Sequence, residues 1–201
     1  MSEHYFTAEP VGEATMRQVT ARIAGETYRF TTAGGTFAAT RLDPGTSVLL
    51  ERGPTPAGRT LLDLGCGWGP VAVSLARRVP AATVWAVDVN RRALDLTGVN
   101  AATAGVADRV RRVEPDDVPA EVTFDAIWSN PPIRVGKTEL HAMLLHWLPR
   151  LAPGGAAWLV VARNLGADSL AAWLAEQGWP TGRHASAKGY RVLRVPARDL
   201  P

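Results

Sequence analysis

The sequence predicts an α/β fold, in which a mostly parallel sheet is covered by helices on both faces. From about residue 60 onward, short apolar segments typical of buried strands alternate with segments that have the hydrophobic spacing of helices. A glycine-rich turn follows the first of these apolar segments, at the place where an open parallel sheet binds its ligand. The chain has 201 residues, of which 46% are hydrophobic, so it is long enough for one well-buried core.

Seven strands and four helices are predicted in this part of the chain. The strands are expected at residues 60–64, 83–88, 110–113, 124–129, 156–162, 183–185 and 190–196. The helices are expected at residues 70–78, 91–104, 138–151 and 168–177, and Asp168 or Ser169 should cap the last one. The apolar face of the third helix should lie in the core, and it consists of Leu140, Leu144, Trp147, Leu148 and Leu151.

The first 45 residues have a different pattern. Apolar and polar residues alternate in two short segments, at Val19, Ala21 and Ile23 and then at Tyr28 and Phe30. This alternation predicts a β-hairpin with a turn at residues 25–26. Thr46 should cap a short helix that continues through Leu50 and ends at Gly53. We expect residues 1–45 to form a hairpin extension packed on a main domain of residues 46–201, because so short a segment cannot fold alone.

The composition excludes several classes of protein. A single cysteine leaves no internal disulfide, and four scattered histidines supply no cluster of metal ligands, so no metal site is expected. No apolar stretch approaches the roughly 18 residues of a membrane span, and the N-terminus does not resemble a signal peptide. We therefore expect a cytoplasmic protein without a membrane partner, present as a monomer or a weak homodimer.

Positive charge is concentrated in the last third of the chain. Residues 1–130 have a net charge of −2 and residues 131–201 a net charge of +5. The basic excess begins at Arg134 and Lys137 and resumes at Arg183, Lys188, Arg191 and Arg194. These side chains would bind a polyanion if they converge on one rim, and would be ordinary solvated charges if they do not.

The segment from Asp63 to Gly69 predicts a binding loop for a nucleoside. Its glycines at 65, 67 and 69 let the backbone turn sharply and approach a ligand closely. Position 70 is proline, so the dinucleotide pattern Gly-x-Gly-x-x-Gly is absent. Asp63 suits a ligand with a cationic amino acid part, and Asp88, at the end of the second strand, can accept both ribose hydroxyls. The alternative is a turn that only packs a helix, followed by an incidental aspartate.

A second motif, Asn130-Pro131-Pro132, ends the strand at residues 124–129. Two successive prolines fix the backbone, so the Asn130 side chain and the Pro131 carbonyl should point outward. Such a pair can accept both hydrogens of an exocyclic NH2, orient its lone pair toward a methyl donor and stabilise the positive charge that develops on nitrogen. In-line methyl transfer depends mostly on alignment of the reacting atoms at about 3–3.5 Å. The alternative is a motif that only terminates the strand.

These motifs resemble those of class I S-adenosylmethionine-dependent methyltransferases. More narrowly, they are similar to the methyltransferase small domain group, which includes ribosomal RNA guanine-N2 methyltransferases. The resemblance covers nearly the whole chain and rests on residues 30–32 with 43–46, 62–70, 87–90, 129–137, 151–155 and 188–193. It implies a Rossmann-like α/β sheet of seven strands, whose last strand is antiparallel, with a short N-terminal hairpin added.

The resemblance also implies the site residues and S-adenosylmethionine as the cofactor. The implied cofactor-binding residues are Asp63, Gly65, Cys66, Gly67, Asp88, Val89 and Asp116. Of these, Asp63, Gly65 and Gly67 would line the methionine side, Asp88 the ribose, and Asp116 the adenine, for which Glu114 and Asp117 are alternatives. The implied catalytic turn consists of Asn130, Pro131, Pro132 and Ile133. The implied phosphate contacts are Arg134, Lys137, Lys188 and Arg191. The expected partner is RNA, as ribosomal RNA or a ribosomal subunit, methylated at guanine N2.

Two departures from the group leave other substrates open. Ile133 stands where many amino-methylating relatives have an aromatic residue, and an aliphatic side chain loses about 1 kcal/mol or more of stacking on a base. The N-terminal extension is hairpin-sized, whereas better-studied ribosomal RNA relatives carry a whole extra domain. Methylation of a small molecule or of a protein glutamine side chain is therefore an alternative. A non-catalytic scaffold that binds S-adenosylmethionine or RNA is a third interpretation.

Overall fold

A computed structural model describes residues 15–198 of the protein. It begins with an antiparallel hairpin of β1 (Met16–Ile23) and β2 (Glu26–Ala33). The turn lies at Ala24 and Gly25 rather than at residues 25–26, because Glu26 already pairs with Ile23. The alternation predicted for the hairpin is confirmed, since one face buries Val19, Ala21, Ile23, Tyr28 and Phe30.

The main sheet in the described chain has seven strands in the order β5-β4-β3-β6-β7-β9-β8. The remaining strands are β3 (Thr60–Leu64), β4 (Thr83–Val87), β5 (Val110–Val113), β6 (Phe124–Ser129), β7 (Leu151–Ala162), β8 (Gly182–Ala187) and β9 (Tyr190–Pro196). β9 is antiparallel to β7 and β8, and the other neighbouring strands are parallel. The predicted fold class, including the antiparallel last strand, is confirmed.

Helices cover both faces of this sheet. Between residues 15 and 198 they are α1 (Pro44–Arg52), α2 (Pro70–Arg78), α3 (Arg91–Thr103), α4 (Lys137–Trp147) and α5 (Ala167–Glu176). The buried apolar residues of α1, α2, α3 and the hairpin form one core with the first face of the sheet. Those of α4 and α5 form a second core with the opposite face.

Two helices begin at residues that differ from the prediction. α1 begins at Pro44, and its N-cap is Asp43, whose Oδ1 accepts the Thr46 N–H at 2.9 Å; Thr46 is therefore not the cap. α5 follows Gly166, which has a φ of 94°, so Asp168 and Ser169 lie inside the helix. In both cases the chain turns into the helix earlier than the local side-chain pattern indicates.

The boundary between α4 and β7 also differs from the prediction. α4 ends at Trp147, since Pro149 in the following 3-10 turn has no N–H with which to continue the helix. Leu151 already belongs to β7 and pairs with Phe124, before an irregular stretch that contains Pro153. The predicted apolar face is nevertheless buried at all five positions, Leu140, Leu144, Trp147, Leu148 and Leu151.

The hairpin is attached to the main sheet through α3. The buried Asn100 side chain accepts the Thr31 N–H at 2.6 Å and donates to the carbonyls of Thr31 at 2.9 Å and Trp68 at 2.7 Å. The Asn100 side chain therefore joins β2 of the hairpin to Trp68, which lies between Gly67 and Gly69 in the glycine loop. The domain boundary between residues 45 and 46 falls inside α1 and stays a prediction.

Across residues 15–198, the helices are all too short or too polar to cross a membrane. The same part of the chain places no three His, Cys, Asp or Glu side chains where they could share a metal ion. The cytoplasmic location stays a prediction.

Candidate functional site

The candidate site is a cavity at the carboxyl edge of the sheet, where the strand order reverses between β3 and β6. Its volume is about 350 Å³, within the range of small-molecule sites. Nine residues of the predicted site line it, namely Gly65, Gly67, Asp88, Val89, Asn130, Pro131, Pro132, Ile133 and Arg134. The two motifs therefore meet at one cavity, although they are far apart in sequence.

Glycine is required in this loop for two different structural reasons. Gly65, Gly67 and Gly69 have φ values of 73°, 55° and 88°, which favour glycine. A Cβ on Gly65 or Gly67 would meet no heavy atom within 4 Å, so both face open space. A Cβ on Gly69 would lie 2.8 Å from Thr97 Oγ1 on α3. The first two glycines leave room for a ligand, and the third allows α2 and α3 to pack.

Asp63 lies behind the glycine loop and is only 2% exposed. Its Oδ2 accepts the Ala72 N–H in the first turn of α2 at 2.8 Å. Burial raises the pKa of Asp63 to about 8; the Ala72 hydrogen bond opposes this shift and the charge of Asp88 adds to it. Asp63 borders a narrow space of about 30 Å³ that adjoins the main cavity and also contacts Asn130. A cationic group in this space would favour the ionised carboxylate.

Asp88 follows β4 and holds two loops together. Its Oδ2 accepts the Gly67 N–H at 2.8 Å, and its Oδ1 accepts the Asn90 N–H at 2.9 Å. Burial raises the pKa of Asp88 in spite of these hydrogen bonds. Each oxygen keeps a lone pair with which it can accept a ligand hydroxyl. The next residue, Val89, is 42% exposed and supplies an apolar wall of the cavity.

Three predicted cofactor residues lie outside the lining of the main cavity, namely Asp63 and Cys66, which border the adjoining narrow space, and Asp116. The Cys66 thiol is buried, with Sγ 3.6 Å from Thr97 Oγ1, and burial raises its pKa well above the usual value. The thiol is therefore protonated and is no nucleophile. Asp116 is exposed on a 3-10 turn, and its neighbour Pro115 contacts the cavity instead. Their roles in cofactor binding stay predictions.

The Asn130 side chain is fixed by residues from the start of α1. Its Nδ2 donates to Asp43 Oδ1 at 2.7 Å and to Thr46 Oγ1 at 3.0 Å. An amide nitrogen has two hydrogens, so both are engaged. Since Asn130 lines the cavity, its Oδ1 is the atom left to accept a hydrogen bond from a ligand.

The rest of the turn is compact. Ile133 N–H donates to the Pro131 carbonyl at 2.8 Å, and Pro132 has φ −75° and ψ 73°, which together form an inverse γ-turn. The Pro131 carbonyl, which was expected to point outward, thus has one lone pair already engaged. Ile133 lines the cavity and also packs on the core beneath α4 and α5.

The four predicted phosphate contacts have different surroundings. Arg134 lines the cavity, and Lys137 is exposed at the start of α4. Lys188 Nζ lies 3.4 Å from Glu51 Oε2, and Arg191 forms an ion pair with Asp168 of α5. Two of the four predicted cations therefore face carboxylates contributed by helices, Glu51 of α1 and Asp168 of α5, and the roles of all four as phosphate contacts stay predictions.

Asp43 and Tyr190 also line the cavity, although neither was predicted from the sequence as a site residue. A Cβ on Gly45 would lie 2.9 Å from Tyr190 Cε1, so the ring packs on the first turn of α1. Burial raises the pKa of Tyr190, and the charge of Asp43 adds to the shift. An acidic residue before Pro-Gly-Thr is an N-cap pattern that could have drawn attention to Asp43.

The cavity fits a cationic nucleoside such as S-adenosylmethionine. Open space lies beside Gly65 and Gly67, and Asp88 has lone pairs available for hydroxyl groups. Among the described residues, the lining includes two carboxyl groups, those of Asp43 and Asp88, and a single cationic side chain, that of Arg134. This balance of charge favours a ligand that carries positive charge.

Comparison with known proteins gives the family. The model of the methyltransferase small domain matches residues 27–194. The uncharacterised protein YbxB of Bacillus subtilis is 31% identical over 199 residues, which are 97% of this chain and 98% of YbxB. Ribosomal RNA small subunit methyltransferase C of Hahella chejuensis is 40% identical over 150 residues, 70% of this chain and 42% of the relative. Release factor glutamine methyltransferase of Gloeobacter violaceus is 34% identical over 150 residues, 71% of this chain and 51% of the relative.

A solved structure is similar over most of the chain. The T. thermophilus 16S rRNA N2 methyltransferase RsmC, in complex with AdoMet and guanosine, has a TM-score of 0.78 and 28% identity. The match covers 94% of this chain and 52% of RsmC. The chain thus spans about half of the length of these named enzymes, whereas it matches YbxB over almost its full length. The chain belongs to the methyltransferase small domain family and is an S-adenosylmethionine-dependent methyltransferase.

Proposed function

We propose that this enzyme methylates an exocyclic amino group of RNA, with guanine N2 of ribosomal RNA as the target. The observation that carries the proposal is the clamped amide of Asn130, which has both Nδ2 hydrogens engaged and its Oδ1 left as an acceptor at the cavity. An acceptor fixed in this way suits a substrate that presents an NH2 group. S-adenosylmethionine supplies an electrophilic methyl group when it is bound.

The catalytic turn aligns and stabilises the amino nitrogen. Asn130 Oδ1 accepts one hydrogen of the NH2 group, and the remaining lone pair of the Pro131 carbonyl accepts the other. These two acceptors direct the nitrogen lone pair into the cavity and stabilise the positive charge that develops on nitrogen. No His, Glu or Lys lies in the turn, which agrees with an attack that needs no prior deprotonation.

The cofactor is assigned to the glycine side of the cavity. Gly65 and Gly67 leave room for its backbone-facing surface, Asp88 accepts the ribose hydroxyls and Val89 contacts the base. Asp63, in the adjoining narrow space, faces the cationic amino acid end. Burial of these two carboxyl groups excludes water, so their interaction with positive charge is little screened.

RNA as the substrate is supported by exposed cations at the same edge of the sheet. Arg134 lines the cavity, Lys137 begins α4, and Arg163 follows the carboxyl end of β7, where its N–H donates to Gly189 in the β8–β9 turn at 2.8 Å. Such charges bind phosphates without regard to sequence. The similarity to small subunit methyltransferase C and to RsmC supports the same substrate class. A base inside a duplex would have to leave its stack, at a cost of a few kcal/mol.

The test is transfer of label from S-adenosylmethionine to deproteinised ribosomal RNA and to assembled subunits, both from cells that lack this protein. The wild type should label one of these pools, and nucleoside digestion should place the label on guanine N2. Asn130→Ala should lose transfer while it still binds S-adenosylmethionine. Asn164→Ala makes the same chemical change at an exposed position outside the cavity lining and should keep full activity.

A protein glutamine side chain is the second candidate substrate, and Ile133 favours it because an aliphatic residue gives a flat base no aromatic surface. The 34% identity to a release factor glutamine methyltransferase points the same way. A glutamine-containing peptide should therefore be assayed beside the RNA pools. Label in the peptide but in neither RNA pool would replace the proposed substrate by the glutamine side chain.

A further inference from the structure

Asp43 is bound to the catalytic turn across 87 residues of sequence. Its Oδ1 accepts two hydrogen bonds, from Asn130 Nδ2 at 2.7 Å and from the Thr46 N–H at 2.9 Å. The hydroxyl of Thr46 accepts the second Asn130 hydrogen at 3.0 Å. The Asn130 amide therefore cannot reverse its two ends without breaking both bonds.

The contact between Asp43 and Asn130 also has an electrostatic consequence. A hydrogen bond to an ionised carboxylate is roughly twice as strong as one between neutral groups. A carboxylate that accepts from Nδ2 draws positive charge toward that end of the amide and makes Oδ1 a stronger acceptor. Asn130 lines the cavity and Oδ1 is the side-chain atom that its recorded hydrogen bonds leave available, so a stronger Oδ1 would act on positive charge that develops there.

Asp43 also has a structural role at the start of α1. It is the N-cap of α1, where the helix dipole stabilises negative charge. Tyr190 of β9 interacts with Asp43 and Arg134: burial raises the pKa of Tyr190, the charge of Asp43 adds to this shift, and the charge of Arg134 opposes it.

We propose that Asp43 is a positioning residue for methyl transfer and acts through Asn130. Its carboxylate holds the amide with Oδ1 toward the amino nitrogen and strengthens that acceptor as the nitrogen gains a fourth bond and becomes cationic. The nitrogen–carbon bond forms as the bond between the methyl group and the sulfonium sulfur breaks, which leaves a neutral thioether, and the nitrogen returns to neutral when it loses a proton to solvent. The inference rests on the proposed N-methylation, and it holds whether the substrate is guanine N2 of RNA or a protein glutamine side chain.

The Asp43→Asn variant tests the negative charge of Asp43 separately from its hydrogen bonds to Asn130 and Thr46. Both recorded hydrogen bonds end on one oxygen, so an asparagine amide oxygen can accept both, and the substitution removes only the negative charge. With S-adenosylmethionine and deproteinised ribosomal RNA, Asp43→Asn should lower kcat about tenfold. KM for the RNA and Kd for S-adenosylmethionine should stay within about twofold, because Asp43 acts on the nitrogen only in the transition state.

Two further variants complete the series. Asp43→Ala should lower kcat about a hundredfold and lower Tm, because it removes the orientation of the amide and the cap of α1 together. Ser47→Ala, which removes an exposed hydrogen bond to Glu51 within α1, should change neither kcat nor KM. This control separates damage to α1 from an effect on Asn130.

The outcomes distinguish the inference from the proposed function. If Asp43→Asn keeps the wild-type kcat, the charge has no role and the inference is overturned while the proposed function stands. If Asp43→Asn raises KM with kcat unchanged, Asp43 contacts the substrate directly and the positioning role is again overturned. A wild type that labels the glutamine peptide instead of RNA overturns the proposed substrate, and the same variants then test Asp43 on the peptide.

Discussion

Asp88 Oδ2 accepts the backbone N–H of Gly67 at 2.8 Å, so the carboxylate at the end of β4 also holds the glycine loop that follows β3. Its other oxygen accepts the Asn90 N–H at 2.9 Å. The group proposed to bind the ribose therefore shapes the loop proposed to hold the methionine part. A ligand that contacts Asp88 is consequently coupled to the conformation of the loop.

Asp88→Asn should disrupt this arrangement although the side chain keeps its size. Asparagine has one acceptor oxygen for two backbone donors, so one N–H would face an NH2 group. The lost hydrogen bond should destabilise the fold by about 1–3 kcal/mol. Binding of S-adenosylmethionine should weaken at least tenfold, measured by titration calorimetry together with thermal unfolding.

The matched control for Asp88→Asn is Asp95→Asn on α3, where the aspartate side chain is 83% exposed. This variant should bind S-adenosylmethionine as the wild type does. Unchanged affinity in Asp88→Asn would show that the carboxylate shapes neither the loop nor the ribose site.

Gly67→Ala and Gly69→Ala should fail in different ways. Both positions have positive φ, which costs a non-glycine residue about 1–2 kcal/mol. Only the Cβ at position 69 would also collide with Thr97, so Gly69→Ala should have the larger loss in Tm. Gly67→Ala should stay folded but lose affinity for S-adenosylmethionine, because the new methyl group enters the space left for the ligand.

Gly105→Ala is the control for the Tm losses of Gly67→Ala and Gly69→Ala. Gly105 has a φ of 70°, has open space around it and lies outside the cavity lining. This variant should show the cost of positive φ alone. Equal Tm losses in Gly69→Ala and Gly105→Ala would contradict the collision with Thr97.

The sequence predicted those parts of the fold that depend on local periodicity. The hairpin and the strands of the sheet follow from apolar alternation and turn residues in short segments, whereas the antiparallel direction of the last strand was implied by the family resemblance. β7 was predicted to begin five residues too late, because the turn-forming Pro153, Gly154 and Gly155 lie inside its first half, where the pairing with β6 changes register. Strand pairing overrides local propensity there.

The site was predictable to the extent that parallel strands bring their carboxyl ends together. The glycine loop, Asp88 and Asn130 all follow such strands, so their meeting at one cavity could be inferred. The contacts of Asp43 with Asn130 and of Arg191 with Asp168 could not, because each joins residues that approach only when a helix packs on the sheet. No local pattern encodes such long-range contacts.

Asp63 should make the stability of the ligand-free protein depend on pH. Its pKa of about 8 in the folded protein lies above the ordinary value of 3.8. Between these values the folded state holds a proton that the unfolded state has released, so the free energy of unfolding falls as pH rises through this window. The slope for one proton approaches about 1.4 kcal/mol per pH unit.

Asp63→Asn removes this proton and still offers an oxygen to the Ala72 N–H, so its unfolding free energy should depend less steeply on pH between 5 and about 8. Urea unfolding at several pH values measures the difference. Saturating S-adenosylmethionine should flatten the wild-type slope, since a nearby cation favours the carboxylate. Parallel slopes in wild type and variant would show that Asp63 titrates normally.

Because Arg191 is in an ion pair and Arg134 lines the cavity, substitutions of these two arginines should affect the salt dependence of RNA binding differently. Arg134→Gln should weaken RNA binding and reduce the slope of log K against log salt by about one, because one phosphate contact is lost. Arg191→Gln should leave that slope unchanged and lower Tm, because Arg191 is engaged with Asp168. Fluorescence anisotropy of labelled ribosomal RNA fragments over a series of KCl concentrations, together with thermal unfolding, measures both effects. A reduced salt slope in Arg191→Gln would mean that the ion pair opens on binding, and that Arg191 contacts phosphate after all.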